Sequence, residues 1–446
     1  MEKNELLSKD ISILIKQIAI PSSLGIFFNT MFNVVDTFYV GSISTMAISA
    51  LSYSFVLYFL LLSTSIGFSS AITVHVGNSL GRKKQLLAKF FVAKGIGLIT
   101  YFSIFLVVLG TVFLEELFVL IGAEGEVLLL CLEYTYIILF SALFMLITIG
   151  ANGVLVALGD TKSYRNSLIF GFFLNLLLDP LFIYGYGVVP AFGFVGVAYA
   201  TLCVQFITFC YIFYKLSQTE LFCFDPVKIF AFNKKFYNKL FKQAFPVSLN
   251  MFFTSFGGII LITFISEYGY KAVAAFGIGY RVEQLILLPL LGINTAVVTI
   301  IANNYGAKKF ERIYEVREKA LRFGYMLSGF GIVFLLIFGQ YIVMAFDKDI
   351  AVVDMAYEYI VIKSFILFAY VTIFISNSTL QGIKKASMIG YVSSYRQVFM
   401  PIFILCLAVY IYKIELFYIW ILLGFVHYSA AVFLSFYVKR MLKRIS

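Results

Sequence analysis

The chain has 446 residues, of which 61% are hydrophobic and only 13% charged, with a formal net charge of +11. A soluble protein of this length carries about a quarter charged residues, so a water-soluble enzyme or nucleic-acid binder is excluded as the first reading. Long apolar runs alternate with short basic clusters, as in a polytopic membrane protein, because about 20 apolar residues span the ~30 Å hydrocarbon core. The runs are continuous rather than alternating, which argues against a strand barrel.

The opening "MEKNELLSKD" is polar, and the apolar run after it has no small-residue cleavage site. The first run is therefore expected to stay as a spanning helix. Apolar runs near 13–40, 47–74, 88–114, 127–156, 166–186 and 194–216 predict six helices. Runs near 246–266, 272–302, 319–345, 354–380, 391–412 and 415–438 predict six more. Twelve is even, so both termini share one side. Of the 34 Lys and Arg residues, 29 fall on that side and 3 (Lys271, Lys348, Lys413) on the other. The positive-inside rule makes both termini cytoplasmic. The basic loops are thus topology signals, not a nucleic-acid site. The five cysteines lack metal-like spacing and read as packing residues.

The two halves align at an offset of 225. "AIPSSL" at Ala19 matches "AFPVSL" at Ala244, and "GNSLGRKK" matches "ANNYGAKK"; Gly67 meets Gly292 and Asn152 meets Asn377. The expected domains are a six-helix lobe over 1–220, a cytoplasmic linker over 221–242 and a second six-helix lobe over 243–446. Six helices per lobe make the repeats parallel, related by an axis along the membrane normal. Two lobes around a cavity suit alternating access, and lobes within one chain suit a functional monomer.

The first run carries Asn29, Asn33 and Asp36 at i, i+4 and i+7, on one helix face. The fifth carries Asn175 and Asp179 at i, i+4, followed by Pro180, which lacks an N–H. A charge at membrane depth costs roughly 3 kcal/mol, and such residues normally face a cavity. Two carboxylates and their amides make an oxygen-rich site for a hard cation such as sodium, or for a shared proton. Asp36, Asn175 and Asp179 are the sodium candidates. Thr201 in "GVAYATLCVQ" can add a hydroxyl. At the offset, Asp36 becomes Leu261, Asn33 becomes Gly258 and Asn29 becomes Thr254. A stripe kept in one lobe only is functional rather than structural. The further cavity candidates are Asn29, Tyr39, Asn152, Arg281, Glu283 and Asn377. Arg281 and Glu283 stand at i, i+2 and do not face each other; Lys363 is a possible partner for Glu283.

Together "PSSLGIFFNTMFNVVDTFYVG", the "GNSLGRKK" and "ANNYGAKK" pair, "LVALGDTK", "NLLLDPLFIYG" and "GFVGVAYAT" resemble the multidrug and toxic compound extrusion (MATE) transporters, specifically their DinF-like branch. The resemblance implies an all-α membrane protein of V-shaped MATE/MOP type. It implies export of small amphipathic cations in exchange for H+ or Na+, no cofactor and no enzymatic activity. It places the chain in the cell's inner (cytoplasmic) membrane as a multi-pass protein. It assigns the coupling site to Asp36, Asn175, Asp179 and Thr201, with Asn33 beside them. The alternative, a lipid-linked oligosaccharide flippase of the MurJ or Wzx type, needs basic residues for a pyrophosphate, and only Arg281 and Lys363 fall within the expected spans.

Overall fold

The structure, a computed structural model, describes residues 4–445. Among the described residues, twelve helices are long and apolar enough to cross a membrane. The first six are α1 (Ile11–Ile43), α2 (Thr45–Gly81), α3 (Gln85–Val112), α4 (Gly125–Ala157), α5 (Lys162–Tyr184) and α6 (Phe194–Ser217). Then come α7 (Lys234–Tyr268), α8 (Tyr270–Gly306), α9 (Phe310–Met344), α10 (Ile350–Gly382), α11 (Ser387–Ile411) and α12 (Leu416–Ile445). Short helices occupy Glu5–Leu7, Leu114–Leu120 and Pro226–Phe230.

Side-chain caps fix several starts. Asp10 accepts from the N–H groups of Ser12 and Ile13 (2.8 and 3.1 Å) ahead of α1. Asp160 does the same for α5 through Lys162 and Ser163 (both 3.0 Å), and Asp349 for α10 through Ala351 (2.9 Å). Each satisfies amide groups that the first helical turn leaves orphaned. The Ile13 N–H, and after it the Lys319 ammonium, hold the Asp10 carboxyl below the usual carboxylate range.

The repeat is visible in the backbone. Lys83 and Lys308, one offset apart, both take φ +57°. Each turn is closed by the next residue: Lys84 donates to Ser79 and Lys309 to Asn304, both at 3.0 Å. This is a Schellman closure of the preceding helix. The left-handed region costs a non-glycine residue about 1–2 kcal/mol, so both repeats hold this turn against its intrinsic preference.

The chain forms two compact units. The first lobe is Leu24–Ser248 and the second is Met1–Ser23 with Leu249–Ser446. They differ from the lobes expected over 1–220 and 243–446 in the first halves of α1 and α7. Within the first lobe α4 is central, packing on α2, α3 and α6. Within the second, α10 packs on α8, α9 and α12. The expected linker over 221–242 is partly helical, since α7 already starts at Lys234. Tyr237, Leu240, Ala244 and Val247 are buried on one face of this extension, while Lys234, Lys235, Lys239 and Lys242 are exposed. The lysines dilute its hydropathy, which hides an amphipathic helix from a search for apolar runs. Three basic residues counted with the loops are also relocated: Lys94, Arg317 and Arg396 are 3%, 8% and 2% exposed, inside α3, α9 and α11.

Candidate functional site

Asp36, Asn175 and Asp179 come together in the first lobe. Asn175 and Asp179 are fully buried and Asp36 is 5% exposed. One helical turn links the pair on α5: Asn175 Nδ2 donates to Asp179 Oδ1 at 3.0 Å. The Asp36 carboxyl, from α1, lies beside both side chains. Thr201 of α6 lines a cavity together with Asp36, while Asn175 and Asp179 are not among its lining residues.

Proline explains part of the local geometry. Pro180 cannot donate to the Leu176 carbonyl four residues back. The Tyr39 hydroxyl takes that acceptor at 3.4 Å, tying α1 to α5 just beyond Asp36. Tyr39 thus serves α5 and does not line the cavity.

The cavity holds about 60 Å³, room for several waters at roughly 10–15 Å³ each. Asn29, Asn33, Asp36 and Thr201 line it. Asn33 Nδ2 is turned back onto the Asn29 carbonyl (2.8 Å), so it does not neutralise Asp36. Tyr58, Tyr134 and Gln205 also line the cavity and were missed. Gln205 stands at i+4 from Thr201 in an otherwise apolar run, a signal the sequence did offer. Tyr58 had no such signal among 30 tyrosines.

The oxygen atoms matter most. Asp36 Oδ1, Asp179 Oδ2, Asn175 Oδ1 and Thr201 Oγ1 are buried without a hydrogen-bond partner. Among the described residues no Lys, Arg or His forms an ion pair with either carboxylate. Buried acceptors normally find donors. Four here do not, and two of them are on acids.

The other candidates lie elsewhere. Asn152 and Asn377 are buried in α4 and α10, each with an unpartnered Oδ1, away from the cavity. Glu283 is buried in the second lobe, 3.6 Å from Lys363 Nζ. Arg281 is exposed on the other face of α8 and is not that partner.

Comparison with known proteins gives the same architecture. A profile of the MatE family matches twice, over residues 21–181 and 246–406. Over 366 residues the chain is 27% identical to a FAD transporter of Shewanella oneidensis, covering 81% of this chain and 80% of that one. A probable multidrug resistance protein, YoeA, of Bacillus subtilis is 27% identical over 327 residues, or 72% and 71% of the two chains. A solved MOP superfamily transporter from Pyrococcus furiosus superposes with a TM-score of 0.91 at 21% identity, over 100% of this chain and 99% of that one. The two matched segments take in most of one repeat each and most of the chain together, so this multi-pass membrane protein, with twelve such helices among its described residues, belongs to the MatE family of transporters.

Proposed function

We propose that the chain is a cation-coupled efflux antiporter that exports amphipathic cations by alternating access, in exchange for H+ or Na+. One observation carries this reading: the four buried, unpartnered oxygens of Asp36, Asn175, Asp179 and Thr201. A carboxylate at membrane depth costs roughly 3 kcal/mol, and a bound proton or sodium ion offsets that cost. Asp36 also lines the cavity. Ion and cargo therefore compete for one charge. With the ion bound, Asp36 has nothing to offer a cationic cargo, which leaves; with the ion lost, the acid attracts the next cargo. Loss of the ion also sets two carboxylates against each other across the α1–α5 contact, which loosens it.

The walls suit such a cargo. Phe32, Phe55, Tyr58 and Tyr134 line the cavity and present ring faces to a flat cation. The relatives' names, a multidrug resistance protein and a FAD transporter, denote carriers of small molecules. The count of basic residues supports cytoplasmic termini in an inner membrane. Among the described residues lining this cavity none is basic, so a lipid-linked pyrophosphate finds no partner there.

The test uses reconstituted vesicles. Export of a fluorescent lipophilic cation is followed under an imposed pH gradient and then a sodium gradient. We expect one gradient to drive transport in the native protein and none to do so in Asp36→Asn. Undiminished gradient-driven export in Asp36→Asn would overturn the mechanism.

A further inference from the structure

The second lobe has its own buried polar cluster, and its charge has the opposite sign. Glu283 comes from α8, Tyr359, Lys363 and Tyr370 from α10, and Arg396 from α11; all five are buried. Glu283 is fully engaged. Its Oε1 lies 3.6 Å from Lys363 Nζ, its Oε2 accepts from the Tyr359 hydroxyl, and the Tyr370 hydroxyl faces the same carboxylate. Arg396 is left over. It is 2% exposed, its guanidinium sits 5.7 Å from the Tyr370 ring centre, and its Nε and Nη1 have no acceptor. Two cations thus stand against one carboxylate.

The repeat shows where this cluster sits. Subtracting 225 takes Glu283 to Tyr58, Tyr359 to Tyr134, Lys363 to Ile138, Tyr370 to Met145 and Arg396 to Gly171. Those five residues all line the first-lobe cavity that holds Asp36. The same place in each repeat therefore carries opposite charge: an acid, Asp36, without a base in one lobe, and an unpaired guanidinium in the other.

We infer that the second lobe binds a compact oxyanion, the carboxylate or phosphate group of a cargo molecule, with Arg396 as principal donor and Lys363 beside it. A guanidinium matches the geometry of such oxyanions. A buried guanidinium whose donors lack acceptors is costly, and an entering oxyanion removes that cost. A cavity of about 10 Å³ adjoins Lys363, Tyr359 and Glu283, enough for a single water at roughly 10–15 Å³, so an anion enters as side chains part. Arg396 lies in a π-helical turn, Tyr395–Phe399, a winding found frequently at functional sites. As a cargo site this rests on the exporter reading; anion binding itself does not.

Trp420 is the single tryptophan and lies 4.8 Å from the Tyr359 ring, so its fluorescence reports on the cluster. The protein is placed in nanodiscs of zwitterionic lipid and titrated with phenyl phosphate, inorganic phosphate and benzyltrimethylammonium. We expect a saturable Trp420 response to phenyl phosphate, a weaker one to inorganic phosphate and none to the cation. Arg396→Gln weakens the response by at least about tenfold, as loss of a charge-assisted hydrogen bond does. If Arg396→Gln fails to fold, Lys363→Gln carries the same expectation. No saturable response in the native protein, or unchanged affinity in the variants, overturns the site. Equal affinity for inorganic phosphate, or displacement of phenyl phosphate by phosphatidic acid in the disc, overturns the assignment to cargo. Cation export is measured on the same preparation. A silent Trp420 with export intact sinks the anion site alone; a phenyl phosphate response without export sinks the exporter reading and leaves the site standing.

Discussion

Gly67 and Gly292 make the same helix contact in the two lobes. A Cβ on Gly67 would lie 2.0 Å from Ser248 Oγ and 2.7 Å from the Ala244 carbonyl oxygen. A Cβ on Gly292 would lie 2.1 Å from Ser23 Oγ and 2.4 Å from the Ala19 carbonyl oxygen. The offset of 225 carries Ser23 to Ser248 and Ala19 to Ala244. The missing side chain lets α2 close on α7 and α8 close on α1. We predict that Gly67→Ala and Gly292→Ala each destabilise by about 1–3 kcal/mol, the usual cost of overpacking. Gly258 has nothing within 4 Å of its own added Cβ, so Gly258→Ala is the control without overpacking, expected to leave stability unchanged or raise it by up to about 1 kcal/mol through helix propensity. Thermal unfolding in detergent checks this; equal midpoints for all three variants would contradict it.

The paired acids set function against stability. Asp36→Asn and Asp179→Asn each replace a buried acid that has no ion-pair partner among the described residues with a neutral amide of the same shape. Both are expected to abolish gradient-driven export and to raise stability by about 1–3 kcal/mol, since a strained functional site gives up stability. Melting curves and vesicle transport on the same preparations test the pairing. Lower melting points in both variants would mean that the acids hold the lobe together.

Lys94 anchors the connection between the lobes' helices. Its Nζ donates to the carbonyls of Lys228 and, at 2.6 Å, Ala231, while the Tyr101 hydroxyl takes the Phe230 carbonyl at 2.7 Å. Together they cap the short helix Pro226–Phe230, which is too short to persist alone. Lys94→Met should loosen this segment by about 2 kcal/mol, through lost charge-assisted hydrogen bonds. Limited proteolysis should then cut within 218–233 several-fold faster. Unchanged cleavage would show that apolar packing around Ile229 suffices.

The start of α10 should soften in acid. The Lys271 ammonium, 2.6 Å away, is the main cause that holds the Asp349 carboxyl below the usual carboxylate range. A carboxyl lowered in the folded state binds protons more readily when unfolded, so its stabilising contribution is complete above pH ~4. It is lost as pH falls through the folded-state value. Hydrogen exchange at Ala351 and Val352 should therefore accelerate in acid, and Asp349→Asn should remove most of that dependence. Identical acid profiles for native protein and variant would rule the cap out as the cause.

Much of this architecture was legible because it is written in composition. Twelve apolar runs, the offset of 225 and the carboxylates at Asp36 and Asp179 need no tertiary information. The start of α7 was hidden because Lys234, Lys235, Lys239 and Lys242 mask its apolar face. The cavity tyrosines were hidden because Tyr58 and Tyr134 look like any other aromatic in a lipid-facing run. Glu283, Lys363 and Arg396 stand one to a helix, and only folding brings them together. Arg396 also sits near enough to a basic loop to pass for a topology signal.

The unit boundaries fall inside α1 and α7, at Ser23 and Ser248. Each six-helix repeat therefore begins with a half-helix that completes the other repeat's core, and lacks the one its own core requires. A lone repeat is unfinished as a monomer; two copies finish each other, as in a swapped dimer. The present chain reads as such a dimer fused end to end by gene duplication, with residues 218–233 as the splice. Halves expressed separately and cut at that splice should recombine into one particle, because neither carries a whole lobe.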